Sequence, residues 1–285
     1  MYELTTHGPA FLYAERGAMD RAVTIFGAPF DSEVSFRTGA RFGPDATRLA
    51  SDGLESYSPA LDLDLEDIRF CDMGNVEFCV KSEHIAKRID CVQREILERD
   101  SKPIMLGGDH SLTPYALRPI VEQYPNLLLI QLDAHADLRD EFNGSFVSHA
   151  NAMRRALDFL PASQLIQYGI RSGDRAEFVE MREAKRLFHS VDALKVRLMQ
   201  DAHRPIYLTI DLDVFDPSLM SGTGTPEFGG IFWKEFEEIL FLLMTHRIVA
   251  ADVMELAPQH DPSGCSAILA SKLVRELALV MGNNC

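Results

Sequence analysis

Eight short runs of β-branched and apolar residues, separated by longer stretches with helical spacing, constrain the fold of this chain more than any other feature. They are VTIFGA (23–28), IRFCDM (68–73), PIMLG (103–107), LLLIQLD (127–133), QLIQYGI (164–170), RLFHS (186–190), PIYLTID (205–211) and IVAADVME (248–255). A strand that is apolar on both faces must be covered on both faces. Such runs, alternating with helices, therefore predict a mostly parallel eight-stranded sheet with helices on each side. Between them, SEHIAKRIDCVQREILERD (82–100) predicts a helix with Ser82 as N-cap and Ile85, Ile89, Val92 and Ile96 on one face. LTPYALRPIVEQY, WKEFEEILFLLMTH and the terminal SAILASKLVRELALVMG read the same way. Right-handed crossovers bring the C-terminal ends of all the strands to one edge, where α/β sheets bind ligands. The length of 285 residues allows two domains, but no repeat, low-complexity tract or long linker divides it, so one domain over 1–285 is expected.

Composition narrows the function. A formal charge of −15 argues against nucleic acid and anionic membranes, which need a basic face, and is compatible with a cationic ligand. The opening MYELTTHGPAFLYAERGAMD has neither the cationic start nor the long apolar core of a secretory leader, and no apolar run reaches the ~18 residues of a membrane span. Cys71, Cys79, Cys91, Cys265 and Cys285 are scattered, odd in number and free of C-x-x-C, which suits a reducing compartment. A cytoplasmic protein is expected. Neither the cysteines nor the single Trp233 receives a role.

The polar residues fall where the sheet offers a site. LGGDHS (106–111) ends the third strand with Asp109 and His110, LDAHAD the fourth with Asp133, His135 and Asp137, TIDLDVFDPS the seventh with Asp211 and Asp213, and VMELAP the eighth with Glu255. In an extended chain residues two apart share a face, so D-x-H-x-D and D-x-D can each converge. Four carboxylates in one partly buried locus need a compensating cation. Oxygen ligands without thiolates favour a hard-to-borderline ion such as Mn²⁺, and six ligands suit two ions bridged by carboxylates. Asp109, Asp216 and Asp261 read as turn or cap formers, and His189 and His246 as surface or core filling. SFRTGARFGPDATR (35–48) lacks the spacing of a phosphate loop, and its Gly43-Pro44 reads as a helix start in a loop shaping the site.

At these residues the sequence resembles the ureohydrolase (arginase/agmatinase) family. GGDHS (107–111), DAHAD (133–137), DLDVFDPS (211–218) and GTGTPE (222–227) carry the likeness, and GAPFD (27–31), the R-x-G-x-R-x-G-P run (37–44), GIRS (169–172) and VMELAP (253–258) extend it over nearly the whole chain. The resemblance implies an arginase-like three-layer α/β/α fold with two Mn²⁺ ions per subunit. It implies that His110, Asp133, Asp137 and Asp211 hold one ion and His135, Asp133, Asp211 and Asp213 the other. It implies further that Asp137 holds the proton of the attacking water, that Glu255 pairs with the substrate cation, and that His149 ferries a proton to the leaving amine. Homo-oligomers, trimers or hexamers, are the family's habit. LRDEFNGSFVSHANAM (138–153) lacks the polar T-x-S-G-N-type loop of arginases, GIRSGD (169–174) lacks the paired acids that they place after the arginine, and S-H-A-x-x-M and GTGTPE look like agmatinases. Hydrolysis of agmatine to putrescine and urea is therefore expected, with Asp140 or Glu141 drawing the distal ammonium. Guanidinobutyrate, guanidinopropionate, aminopropylagmatine, formiminoglutamate and arginine are alternatives, as is a non-catalytic relative. A binuclear phosphoesterase would need an N-H-D motif, which the chain lacks.

Overall fold

A computed structural model of the chain describes residues 5–6 and 8–283. Cys285 and part of the segment judged for a leader lie outside the described residues. All eight expected strands form: β1 (Val23–Gly27), β2 (Phe70–Val76), β3 (Lys102–Leu106), β4 (Leu128–Leu132), β5 (Leu165–Tyr168), β6 (Leu187–Phe188), β7 (Ile206–Asp211) and β8 (Ile248–Met254). They lie parallel in the order β2-β1-β3-β8-β7-β4-β5-β6. The described sheet has ten strands rather than eight, because Thr5–Thr6 and Glu15–Arg16 both pair with β2. Two residues make too short a run for a period of two to register.

Every residue of β1, β4, β7 and β8 is buried. The two faces separate by alternation: Leu128, Ile130 and Leu132 pack into one apolar cluster, Leu127 and Leu129 into the other. Helices α2 (Ser82–Glu98), α3 (Thr113–Gln123), α4 (Ala152–Ala156) and α5 (Arg175–Glu183) cover the second face. Helices α6 (Val191–Gln200), α7 (Trp233–Leu243) and α8 (Cys265–Asn283) cover the first, with α1 (Gly43–Ser51) packed on α8. This is a three-layer α/β/α fold. On α2, Ile85, Ile89, Val92 and Ile96 are fully buried, each side chain contributing about 1.5–3 kcal/mol of transfer free energy.

Ser82 is not the N-cap of α2. It is the first helical residue, and the extended Lys81 precedes it without a side-chain cap, its carbonyl accepting from the N–H groups of His84 and Ile85. Trp233 packs its ring on Phe236 at the start of α7, under the ammonium of Lys272. Cys71, Cys79, Cys91 and Cys265 are free. Among the described residues no helix is long and apolar enough to cross a membrane.

Candidate metal centre

The strands whose ends carry the acids and histidines, β3, β8, β7 and β4, are neighbours in the middle of the sheet. At the end of β3 the chain passes so close to the Phe30 backbone that a Cβ on Gly108 would collide with its carbonyl. Asp109 then caps the turn of His110–Leu112, accepting from Ser111 N (3.1 Å) and Glu33 N (3.1 Å), which is the turn role expected of it. Asp216 and Asp261 likewise accept from Ser218 N and Ser263 N. His189 is exposed and His246 buried, and neither lines the cleft described below.

The imidazole of His110 is fully buried. Its Nδ1 lies 3.1 Å from Asp133 Oδ2, 3.0 Å from Asp137 Oδ2 and 3.3 Å from Asp211 Oδ2, without a well-formed hydrogen bond to any of them. Its Nε2 sits 2.9 Å from Thr209 Oγ1. The Thr209 hydroxyl also bonds Asp252, so its oxygen is free to accept from Nε2–H. In a neutral ring the Nδ1 lone pair then points at three carboxylate oxygens, an arrangement that a cation between them satisfies. A second group stands beside the first: His135 Nδ1 is 2.9 Å from Asp213 Oδ2 and 3.7 Å from Asp133 Oδ1. Asp133 thus belongs to both groups, offering a different oxygen to each. Asp211 gives Oδ2 to the first group, while its Oδ1 accepts from Asp213 N.

The segment 133–137 does not simply continue the alternation of β4. Asp137 takes a left-handed backbone (φ 54°), and that turn swings its carboxylate to the His110 side while His135 serves the other. Glu255 is left-handed too (φ 67°), held by its N–H to Gly108 O (2.9 Å), and its Oε1 accepts from His110 N (2.8 Å). Such conformations cost about 1–3 kcal/mol and persist where surrounding contacts over-determine them.

Electrostatics points the same way. Burial, then the charges of Asp137 and Asp213, push Asp133 up to about 7. Burial, then neighbouring carboxylates, raise Asp211 and Glu255 well above the usual range. Burial opposes protonation of His135, yet Asp213 and its neighbours carry that imidazole up to about 11, and His135 in turn holds Asp213 low against its own burial. A buried group of this kind keeps all its carboxylates ionised only around a cation. Its oxygen and imidazole donors, without thiolate, fit a hard-to-borderline divalent pair.

The groups open into a cleft of about 240 Å³ whose walls include Ser35, Arg139, Phe142, His149, Glu177, Thr225 and Glu255. His149 sits edge-on to Phe142 with its Nε2 buried and unpartnered; burial, helped by the charges of His135 and His110, lowers its pKa despite Asp137. Thr225, from GTGTPE, donates to Asp213 Oδ2 (3.2 Å). Arg171, from GIRS, clamps the loop after β7 through the carbonyls of Asp213 (2.7 Å) and Glu227 (2.7 Å). In the 35–48 loop only Ser35 reaches the cleft. Arg48 is buried against Asp72, Arg41 pairs with Asp31 and Arg37 lies over Phe36.

The acids expected at the substrate tail face elsewhere. Asp140 is exposed and pairs with Arg155 (2.9 Å), and Glu141 is exposed outside the cleft. Beside Glu255, Asp137 and Asp211, the wall holds one further acid, Glu177, which accepts from Leu138 N (2.9 Å) and Asp174 N (2.7 Å) with Arg139 Nε 3.9 Å away. Its sequence signal, D-x-x-E at 174–177, identifies a capping box at the start of α5; only the packed structure turns that cap toward the cleft.

The sequence model of the arginase family matches residues 21–280. The chain belongs to the arginase family. This arginase-family hydrolase, which acts on C–N bonds, is 36% identical over 280 residues to the agmatinase of Bacillus cereus, covering 95% of this chain and 96% of the relative. It is 38% identical over 264 residues to the N(1)-aminopropylagmatine ureohydrolase of Thermococcus kodakarensis, covering 88% and 87%. The solved structure of proclavaminate amidinohydrolase from Streptomyces clavuligerus superposes with a TM-score of 0.88 at 28% identity, covering 98% of each chain. The arginase family is a family of binuclear metal enzymes, and the Asp and His groups here are ones that could hold such a pair.

Proposed function

We propose that this chain is an agmatinase, a single ureohydrolase domain that hydrolyses agmatine to putrescine and urea with two Mn²⁺ ions per subunit. One observation carries the reading: two donor groups joined through the two oxygens of Asp133 face a cleft walled by Glu255, His149 and Glu177. His110, Asp133, Asp137 and Asp211 would hold one ion, and His135, Asp133, Asp211 and Asp213 the other. When bound, such a pair lowers the pKa of water from ~15.7 to around neutrality. Glu255, buried and anionic opposite a permanent cation, binds the guanidinium by a charge-assisted contact. Water adds to the guanidinium carbon with Asp137 holding its proton, the bond from carbon to the chain nitrogen breaks, and the amine leaves protonated through His149. Cation plus water thus give alkylammonium plus urea. Agmatine's distal ammonium falls to Glu177, and the agmatinase names of relatives at this level of identity support the choice. A cytoplasmic homo-oligomer, trimer or hexamer, completes the proposal.

Arg139 favours a second reading. Its guanidinium lies over Phe142 in the cleft wall and would attract a carboxylate tail, as in guanidinobutyrate or arginine. Urea release by Mn²⁺-loaded protein from agmatine, aminopropylagmatine, guanidinobutyrate, guanidinopropionate and arginine separates the two. Agmatine is expected to give the highest kcat/KM; preference for a guanidino acid would transfer the tail contact to Arg139.

His149→Asn is expected to lower kcat on agmatine by about 10²-fold or more, the usual contribution of a positioned proton donor, with both ions retained. Loss of metal instead would remove His149 from proton transfer.

A further inference from the structure

A line of buried polar side chains runs from Asp133 away from the cleft. Gln131 on β4 and Gln167 on β5 are fully buried register partners. Gln131 Nε2 donates to Asp133 Oδ2 (2.7 Å) and to His135 O (3.1 Å). Gln167 Nε2 donates to Gln131 Oε1 (2.7 Å) and to Ala136 O (3.0 Å). Arg186, just before β6 and also buried, donates from Nε to Gln167 Oε1 (2.9 Å) and from Nη2 to Glu180 (2.7 Å). Glu180 also accepts from Arg154 Nη2, and Arg154 returns to the segment, its N–H donating to Asp137 O (3.0 Å) and its Nε to Leu138 O (3.0 Å). Four successive carbonyls, those of residues 135 to 138, are held by this one closed circuit.

We propose that Gln131, Gln167 and Arg186 are positioning residues that set the orientation of the shared ligand Asp133, a role that rests on the two-ion reading above. The chemistry of the donors dictates the direction. A guanidinium has no acceptor, so Gln167 must turn its oxygen to Arg186 and its amide N–H groups to Gln131 and Ala136 O. Gln131 must then turn its N–H groups to Asp133 and His135 O. Each amide nitrogen meets two oxygens that need a donor, so neither glutamine can flip without losing two bonds. The bond from Gln131 on Oδ2, together with that from His135 N on Oδ1 (2.6 Å), fixes the carboxylate plane, leaving Oδ2 toward His110 and Oδ1 toward His135. Arg186 thereby acts on Asp133 through two intervening side chains.

The test is Mn²⁺ titration calorimetry on the full chain, with the EPR spectrum of the spin-coupled ion pair as a second readout. Gln131→Met, which keeps the volume and removes the donor, is expected to weaken the ion shared by His110 and Asp133 by about 10–100-fold and to diminish the coupled signal. Arg186→Met is expected to do the same, and to add nothing in a Gln131→Met background, because the line is already cut. Gln167→Glu, which keeps the bond to Arg186, turns the Gln131 oxygen onto Asp133 and serves if Arg186→Met fails to fold. Additive losses in the double variant, or wild-type affinity in Gln131→Met, would overturn the assignment alone. A wild-type chain that binds no second ion would overturn the two-ion reading and the positioning role together.

Discussion

Asp133→Asn is expected to lose both the ion pair and the reaction, with urea release falling by at least ~10²-fold, the upper range for loss of a group that orients a metal. Asp133 offers Oδ2 to the His110 group and Oδ1 to the His135 group. Asparagine keeps one oxygen and replaces the other with an amide nitrogen, which would meet either Gln131 Nε2–H or the His135 N–H, both donors. One donor–donor clash therefore forms whichever way the amide turns. The change should also abolish stabilisation by added Mn²⁺, which for an intact site at ~100 times its dissociation constant is worth about 2.7 kcal/mol. Bound manganese by atomic absorption and thermal unfolding with and without the ion are the measurements. A variant that binds two ions and turns over at wild-type rate would rule out Asp133 as the shared ligand.

Glu255→Gln should separate substrate binding from metal binding. Its Oε1 accepts from His110 N, a bond that the amide oxygen of glutamine preserves, so the ions should stay. The other end loses its charge. A hydrogen bond to a charged partner contributes about 1.5–3 kcal/mol, so kcat/KM for agmatine should fall by ~10–100-fold at unchanged manganese content. Activity within twofold of wild type would mean that the guanidinium is held elsewhere.

The sheet was legible because eight apolar runs needed cover on both faces, and the gathering of acids and histidines because D-x-H-x-D and D-x-D at strand ends bring several carboxylates to one edge, which a single turn or cap does not explain. The edge strands Thr5–Thr6 and Glu15–Arg16 were not, since two residues carry no periodicity. The D-x-H-x-D spacing points to Asp137, but the left-handed turn that delivers it to His110 follows from tertiary contacts rather than from that spacing. Glu177 hid inside a helix cap, and Gln131 and Gln167 inside strands where a polar residue among aliphatics signals nothing until its neighbour across the sheet is known. The acids that stand out near His149 in the sequence, Asp140 and Glu141, face solvent, since charge density along the chain says nothing about which side of a loop faces the cleft.

The position of β8 has a consequence for how the protein comes into being. The last of the described strands is inserted between β3 and β7, in the middle of the sheet. As the chain emerges during synthesis, His110, Asp133, Asp137, Asp211 and Asp213 all appear before the strand that joins β3 to β7. A product interrupted before Ile248 is therefore a sheet with a plank missing at its centre, not one with a frayed margin. The donors on β4 and β7 are already neighbours before β8 arrives, whereas His110, beyond β3, joins them only once that gap is closed.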